Sequence, residues 1–391
     1  MSQQLSAERV VEKAQAMAGL SDFGGDEFRE PLAVLLRAIG AESGIAPERF
    51  AEVEGGIAYN LHNRLKIIED RKRFPGIASE VIEKPLFILG LPRSGTTAMQ
   101  ALLAADPKAR TTLHWELLNP SPPPETATYL TDPRIVLAEA QVEGMVKASP
   151  DIRERHPFDA RLPEECGRLF DLAVMNQGSF GSYYVPSYLN WLLAHDYRDG
   201  YPIHKLALQH FQHRHKGSHW VLKSNKHMFT LERLFETYPD LRLVWLHRDP
   251  AQTLPSLCSF IKSNRVRLKP DTDPRALGPD WTTMQEIALR RALSSRDRMN
   301  VEKQICDVSY YEMLADPAGT IQRIYAYFGM PFDDSVRAGV LGWLRDNPQD
   351  KFGRHKYTPE MFGLDGAGLR ERFAFYTERF DVRSERAMAA A

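Results

Sequence analysis

Apolar residues recur at helical spacing through the first part of the chain and then change their pattern. Val10, Val11, Ala14 and Met17 make one stripe, and Leu32, Leu35, Leu36 and Ile39 make a second that ends near Gly40. A third, longer stripe runs from Phe50 to Arg71, so residues from about Ser6 to Phe74 are predicted to form amphipathic helices. Charged helices of this kind cover a domain, and this preface carries no recognisable chemistry. After Pro85, short apolar runs alternate with helical stretches. Strands are expected near 86–89, 111–117, 219–222, 241–246 and 304–309, with helical patterns between them. That alternation implies a mainly parallel sheet with helices on both faces. The expected fold class is α/β, three layers deep, with a helical extension over residues 1–83 and one domain over 84–391.

The first of these strands leads into Gly90-Leu91-Pro92-Arg93-Ser94-Gly95-Thr96-Thr97, and a helix pattern begins at once. A strand, a small-residue loop and a helix N-terminus make an anion cradle, because backbone N–H groups point outward and the helix dipole favours negative charge. The spacing Gly90-x-x-x-x-Gly95-Thr96-Thr97 is almost a Walker A loop, which makes the fold P-loop-like. Thr96 stands where the Walker lysine would reach the β- and γ-phosphates of a nucleoside triphosphate. The cation has moved into the loop, to Arg93. Such a loop holds a phosphate, while the missing lysine argues against ordinary ATPase or kinase chemistry.

Further candidates follow along the chain. Arg110 to Leu117 alternates apolar and polar residues, which would put His114 and Glu116 on one face of a strand. Such a pair is a candidate for proton transfer or, alternatively, a polar edge facing solvent. The run Asn119-Pro120-Ser121-Pro122-Pro123-Pro124 ends any regular element there. The aromatic segment Phe180 to Trp191 reads either as the wall of an apolar acceptor pocket or as core. His204, His210, His213, His215 and His219 invite a metal reading, but no carboxylate or cysteine falls in register. A solvated helix ending at Gly217 is the reading taken, with no metal. Lys223 closes a short buried strand, at the edge where open parallel sheets bind ligands, with an anion-facing role or a plain surface lysine as the two readings. Asp249 and Pro250 make a strong helix start after Arg248, with a kink or restart expected at Pro255. A basic loop, Lys351 to Tyr357, precedes a final helix.

Composition removes several function classes. The chain has 391 residues, 43% hydrophobic and 26% charged, as expected of a globular protein with a real core. A net charge of −1 gives no global basic field for nucleic acid or a membrane surface, so any anion site is local. Three widely spaced cysteines, Cys166, Cys258 and Cys306, suit a reducing compartment and form neither a disulfide framework nor a zinc knuckle. No signal-peptide core and no membrane-spanning apolar run is present, so a cytoplasmic location is expected.

Over residues from about 85 to 380 the chain resembles the PAPS-dependent sulfotransferase family (PAPS is 3′-phosphoadenosine 5′-phosphosulfate). The loop Pro92 to Thr97 is similar to the family's 5′-phosphosulfate loop, with Arg93 at its basic position. Arg248, with Ser256 eight residues later, resembles the family's 3′-phosphate site. Lys223 looks like the lysine beside the transferring sulfuryl group. The tract Tyr310 to Pro317 resembles the one that approaches the nucleoside, and the segment Gly353 to Tyr357 falls where the family brings a basic loop onto the nucleotide.

The resemblance implies a sulfuryl transfer from PAPS to a hydroxyl, or an amine, of a small, partly apolar acceptor, giving PAP and a sulfate ester without a metal. It implies nucleotide contacts from Arg93, Ser94, Gly95, Thr96, Thr97, Arg248, Ser256, Tyr311, Arg354, His355, Lys356 and Tyr357, and catalysis at Lys223. The base departs from the common cytosolic pattern, because Asn225 occupies the position of its histidine. Tyrosylprotein-type members use a glutamate after the phosphate loop, which points to Glu116, with His114 as the rival. A P-loop small-molecule kinase and a nucleotide-binding module without turnover are the alternatives. The kinase leaves the Arg248–Ser256 pair without a job, and the module leaves Lys223 and Glu116 as bystanders.

Overall fold

A computed structural model of the chain describes residues 4–148, 158–348 and 357–383. Its N-terminal part forms three helices, α1 (Ala7–Ala18), α2 (Arg29–Glu42) and α3 (Phe50–Arg73). Local chemistry sets the ends of α1. The Ser6 hydroxyl accepts from Arg9 N, and Gly19 stops the helix in the left-handed conformation at φ 65°.

The sheet has five parallel strands in the order β2-β3-β1-β4-β5. They are β1 (Leu86–Gly90), β2 (Ala109–Arg110), β3 (His219–Lys223), β4 (Arg242–His247) and β5 (Ile305–Ser309). Successive side chains of β1 and β4 point to opposite faces. Phe87, Leu89, Leu243 and Trp245 join one core, whereas Leu86, Ile88, Val244 and Leu246 join the other. Covering on both faces explains why these strands read as continuous apolar runs.

The first core extends without a break from Val10 and Leu61 to the sheet. Arg64, on α3, is almost fully buried. It donates to the carbonyls of Phe23 at 2.7 Å and Leu172 at 3.3 Å, tying α3 to the short 3-10 segment Cys166–Ala173.

Four expected strands stand where the pattern placed them; the one expected at 111–117 does not. Only Ala109–Arg110 pairs with β3, and α5 (His114–Leu118) is a short helix. Its alternation is accidental. Trp115 and Leu118, at helical spacing, fill a small core with Ile135, Ala138 and Val142 of α6 (Pro133–Ala148). The carboxylate of Glu116 turns back to accept from Leu113 N at 3.0 Å, fixing the first turn.

The histidine tract also differs from a solvated helix. In α7 (Gly200–Gln212), His204 and His210 lie on the buried face, paired with Tyr238 Oη at 2.7 Å and the Pro120 carbonyl at 3.0 Å. In α8 (Pro250–Arg265) the helix continues through Pro255 with no restart. Among the described residues, no helix is long and apolar enough to cross a membrane.

Candidate active site

The loop after β1 is shaped by three unusual backbone positions. Gly90 has φ 151°, and a Cβ there would sit 2.7 Å from the Leu246 carbonyl and 2.8 Å from Ser94 Oγ. Arg93 holds a left-handed φ of 71° and Gly95 one of 93°, where a Cβ would meet the Tyr310 ring at 2.7 Å. The nine-residue helix α4 (Thr96–Ala104) starts directly behind, so its first N–H groups lack intrahelical partners. The Ser94 hydroxyl is buried with no protein partner. An unpartnered donor in a glycine-shaped loop at a helix start fits a phosphate.

Positive charge gathers on the same loop. Arg93 Nε donates to Ser256 Oγ at 3.0 Å, and Arg248 Nη1 donates to the Arg93 carbonyl at 3.0 Å. The Arg248 guanidinium lies 4.0 Å from the centre of the Tyr310 ring. Burial pushes the Arg93 pKa below its ordinary value and the neighbouring Arg248 charge adds to that, with Tyr357 and Tyr310 opposing. A bound polyanion would relieve this crowding.

Lys223 closes β3, next to Ile88 on β1. Its Nζ reaches Glu165 Oε1 at 2.7 Å and Thr97 Oγ1 at 3.4 Å, and its side chain is 3% exposed. Burial raises the Glu165 pKa, but Lys223 and then Lys226 outweigh it and hold the carboxyl below its ordinary range. Glu165 and Lys223 face a cleft of about 500 Å³ shared with Arg93, Thr97, Lys226 and Tyr183. Asp171 lines the same cleft, with its carboxyl pushed up by burial against Lys226 and Arg168.

The expected bases lie elsewhere. Glu116 is fully buried, accepts from Arg110 Nη1 at 3.0 Å and from Tyr129 Oη at 3.2 Å, and also pairs with Arg110 Nη2. Neither it nor His114 lines the cleft. The helical turn separates the two residues that a strand would have aligned. His114 sits behind the wall, its Nε2 3.3 Å from Arg168 Nη1 and its ring against Phe158, and both of those residues do line the cleft.

Sequence reasoning missed two residues. Glu165 had a signal in Pro163-Glu164-Glu165-Cys166, an acidic pair in a loop beside small residues. Tyr310, rather than its neighbour Tyr311, is the ring that meets Arg248 and Gly95; Tyr311 stands edge-on to Tyr310 at 5.4 Å. Arg354, His355 and Lys356 lie outside the described residues, while Tyr357 packs on the main core near Arg93. Of the aromatic segment, Tyr183 faces the cleft, whereas Phe180 and Tyr188 are core.

Beneath Lys223 lies a buried polar knot. Cys166 Sγ donates to the Lys223 carbonyl at 3.5 Å and lies 3.5 Å from His227 Nε2, whose Nδ1 meets Tyr201 Oη at 2.9 Å. With His204 these make a group of ligand-type atoms within 4.8 Å of one another. Burial pushes His204 down to about 3, His227 well down and the Cys166 thiol up, so all three are neutral.

A sulfotransferase family model matches residues 85–334. Among curated proteins, the omega-hydroxy-beta-dihydromenaquinone-9 sulfotransferases of Mycobacterium bovis and Mycobacterium tuberculosis are each 22% identical over 142 residues. That stretch is 36% of this chain and 36% of theirs, so the chain spans about a third of the length of these relatives. Two solved structures are similar throughout. Sulfotransferase STF9 from Mycobacterium avium superposes with TM-score 0.90 at 28% identity, covering 98% of this chain and 99% of that one. Sulfotransferase STF1 from Mycobacterium tuberculosis gives 0.86 at 28% identity, covering 96% and 100%. The family match takes in more than half of the chain, including the phosphate-type loop and every strand of the sheet, and the chain therefore belongs to the sulfotransferase family.

Proposed function

We propose that this protein moves a sulfuryl group from PAPS to a hydroxyl group of a small, partly apolar acceptor, releasing PAP and a sulfate ester. The observation that carries the reading is the single position of Lys223 Nζ, within reach of both Thr97 on the phosphate-type loop and Glu165 in the cleft. PAPS, when bound, supplies an activated sulfuryl group and a 3′-phosphate that ATP lacks. The residues present fit such a group: Ser94 offers an unpartnered buried hydroxyl, the glycines leave the loop open, and two arginines crowd it.

Arg93 and the N–H groups of Ser94 to Thr97 hold negative charge at the start of α4. Lys223 neutralises charge next to Thr97, work that magnesium does in a kinase. Arg248 and Ser256, with the segment Arg354 to Tyr357, read the 3′-phosphate, and Tyr311 serves the nucleoside. Glu165, ionised at neutral pH and 2.7 Å from Lys223, takes the proton of the acceptor hydroxyl in place of Glu116 or His114.

A mycobacterial relative is named for an omega-hydroxylated dihydromenaquinone, and a lipid-like alcohol is the acceptor class proposed for this cleft. The helices of residues 1–83 then serve the domain at 84–391 as one wall of its site. All three cysteines are unpaired, which accords with a reducing cytoplasm.

Calorimetric titration with PAP against ADP, without metal, tests the reading. Tight PAP binding that collapses in Arg248→Ala, with little ADP binding, is expected. Preference for ADP, or for ATP with magnesium, would overturn it in favour of a kinase.

A further inference from the structure

A second chamber of about 440 Å³ lies behind the cleft, between α3, α5, α6 and the segment Cys166–Ala173. It shares Asn60, Arg168, Asp171, Asn176, Ser179 and Tyr183 with the cleft, so one set of side chains forms both the back of the catalytic space and the inner end of the chamber. Its lining also includes Gly56, an exposed position on α3, and Met145 on α6, 37% exposed. A Cβ added at Gly56 meets no atom within 4 Å. The two spaces thus adjoin, and their joint lining includes both Lys223 and exposed positions on α3 and α6.

The chamber's lining indicates what it accepts. Ile57, Ile67, Leu118 and Leu169 supply apolar wall. Two of its polar groups, Tyr59 and Gln141, are occupied in a ring with Asn119: Tyr59 Oη donates to Asn119 Oδ1 at 2.8 Å, Gln141 Nε2 donates to Tyr59 Oη at 3.0 Å, and Asn119 Nδ2 donates to Gln141 Oε1 at 2.9 Å. Asn63 Nδ2 is likewise spent on the Leu118 carbonyl at 3.0 Å. Along the stretch formed by Tyr59, Asn63 and Gln141 the wall is already satisfied, so it does not require a polar ligand and tolerates a hydrocarbon chain laid across it. Its charged side chains are Asp171, Arg168 and Arg267; Arg168 acts on Asp171 and Arg267 pairs with Glu52, so each cation is already opposed and the wall does not select an ionic chain.

We propose that the acceptor is an elongated, uncharged alcohol whose hydroxyl head sits at Glu165 and Lys223 and whose chain runs through this chamber along α3. The inference rests on the sulfuryl-transfer reading for its head group. It makes the N-terminal helices a determinant of acceptor length.

The test uses the full-length protein with butanol, octanol and dodecanol as probes. Equilibrium binding to the protein, alone and saturated with PAP, is measured beside kcat/KM with PAPS. Affinity is expected to rise roughly two- to fourfold per methylene while the chain remains inside, at or below what full burial in hydrocarbon would give because polar side chains share the wall. Gly56→Phe is expected to reduce dodecanol binding at least tenfold relative to butanol, with Gly56→Ala matching wild type. Replacing a helix-interior glycine favours the helix, so both variants are expected to fold. Alcohol affinity that does not depend on length, or a Gly56→Phe protein with the wild-type length dependence, would overturn the chamber assignment. Absent PAP binding with length dependence intact would instead remove the sulfuryl-transfer reading and leave the chamber standing.

Discussion

Lys223 and Glu165 form an ion pair of 2.7 Å at the bottom of the cleft, brought together by the end of β3 and the loop before Cys166. The lysine is almost fully buried and the carboxylate side chain is 22% exposed, so the pair presents its acidic half to the cleft. Lys223 keeps Glu165 ionised in a site where burial alone would favour the neutral carboxyl.

Lys223→Ala is expected to lower kcat by roughly 100- to 1,000-fold, the scale of losing one preorganised charge at a reacting centre. Glu165→Gln is expected to lower it by roughly 100- to 10,000-fold, the range for a general base. Because the two act as one unit, the double variant is expected to be little worse than the more damaged single one. PAP titration of Glu165→Gln checks the assignment: loss of turnover with PAP affinity retained supports a base, and full turnover excludes it.

The pH dependence follows from which charges hold Glu165 down. With its pKa depressed in the folded enzyme, the ionised base persists below the ordinary carboxylate range, so kcat/KM is expected to stay level from neutral pH down through that range. Lys226 is the second of the two cations responsible. Lys226→Met leaves burial less opposed, so the Glu165 pKa rises and the acid limb of kcat/KM moves to higher pH. A pH–rate profile of this variant superimposable on that of wild type would show that another group is the base.

The phosphate-type loop, the lysine at a strand end and the Arg248–Ser256 spacing were legible in the sequence because each is local. A strand, its turn and the next helix start lie within about a dozen residues and constrain one another. Glu165 was only half legible: the acidic pair at 164–165 stands out, but it does not say which of the two carboxylates meets Lys223, 58 positions away. Glu116 misled for the converse reason. A five-residue helix is too short to show its period, and the ion pair with Arg110 that buries it depends on how that turn closes. His204 and His210 misled because an imidazole in a helix looks polar until its partner, here a tyrosine or a carbonyl from a distant segment, is known.

Glu116→Gln separates a structural carboxylate from a catalytic one. The substitution leaves Arg110 buried without its counter-charge, which costs about 3–5 kcal/mol for a pair of this kind. A melting temperature several degrees lower is expected, with folded protein that still binds PAP and retains turnover below its melting point. Unchanged thermal stability together with lost turnover would return Glu116 to the role of base.

Acid stability is the last consequence, and its sign comes from the buried imidazoles. Burial lowers the His204 pKa to about 3 and the His210 pKa to about 4, so both are neutral in the fold. A depressed folded-state pKa contributes stability that is fully present above the unfolded value near 6.5 and is lost as pH falls toward the folded value. Between pH 6.5 and pH 5 each group alone is worth roughly 2 kcal/mol, at 1.36 kcal/mol per pH unit. Urea unfolding at pH 7 and pH 5 is therefore expected to show a clearly lower midpoint at pH 5, with a similar slope. In His210→Gln the difference between the two pH values is expected to shrink, because one imidazole that takes up a proton on unfolding is gone while the amide still offers a donor to the Pro120 carbonyl. Equal midpoints at the two pH values in wild type would mean that these imidazoles titrate normally, and that the core around α7 admits water.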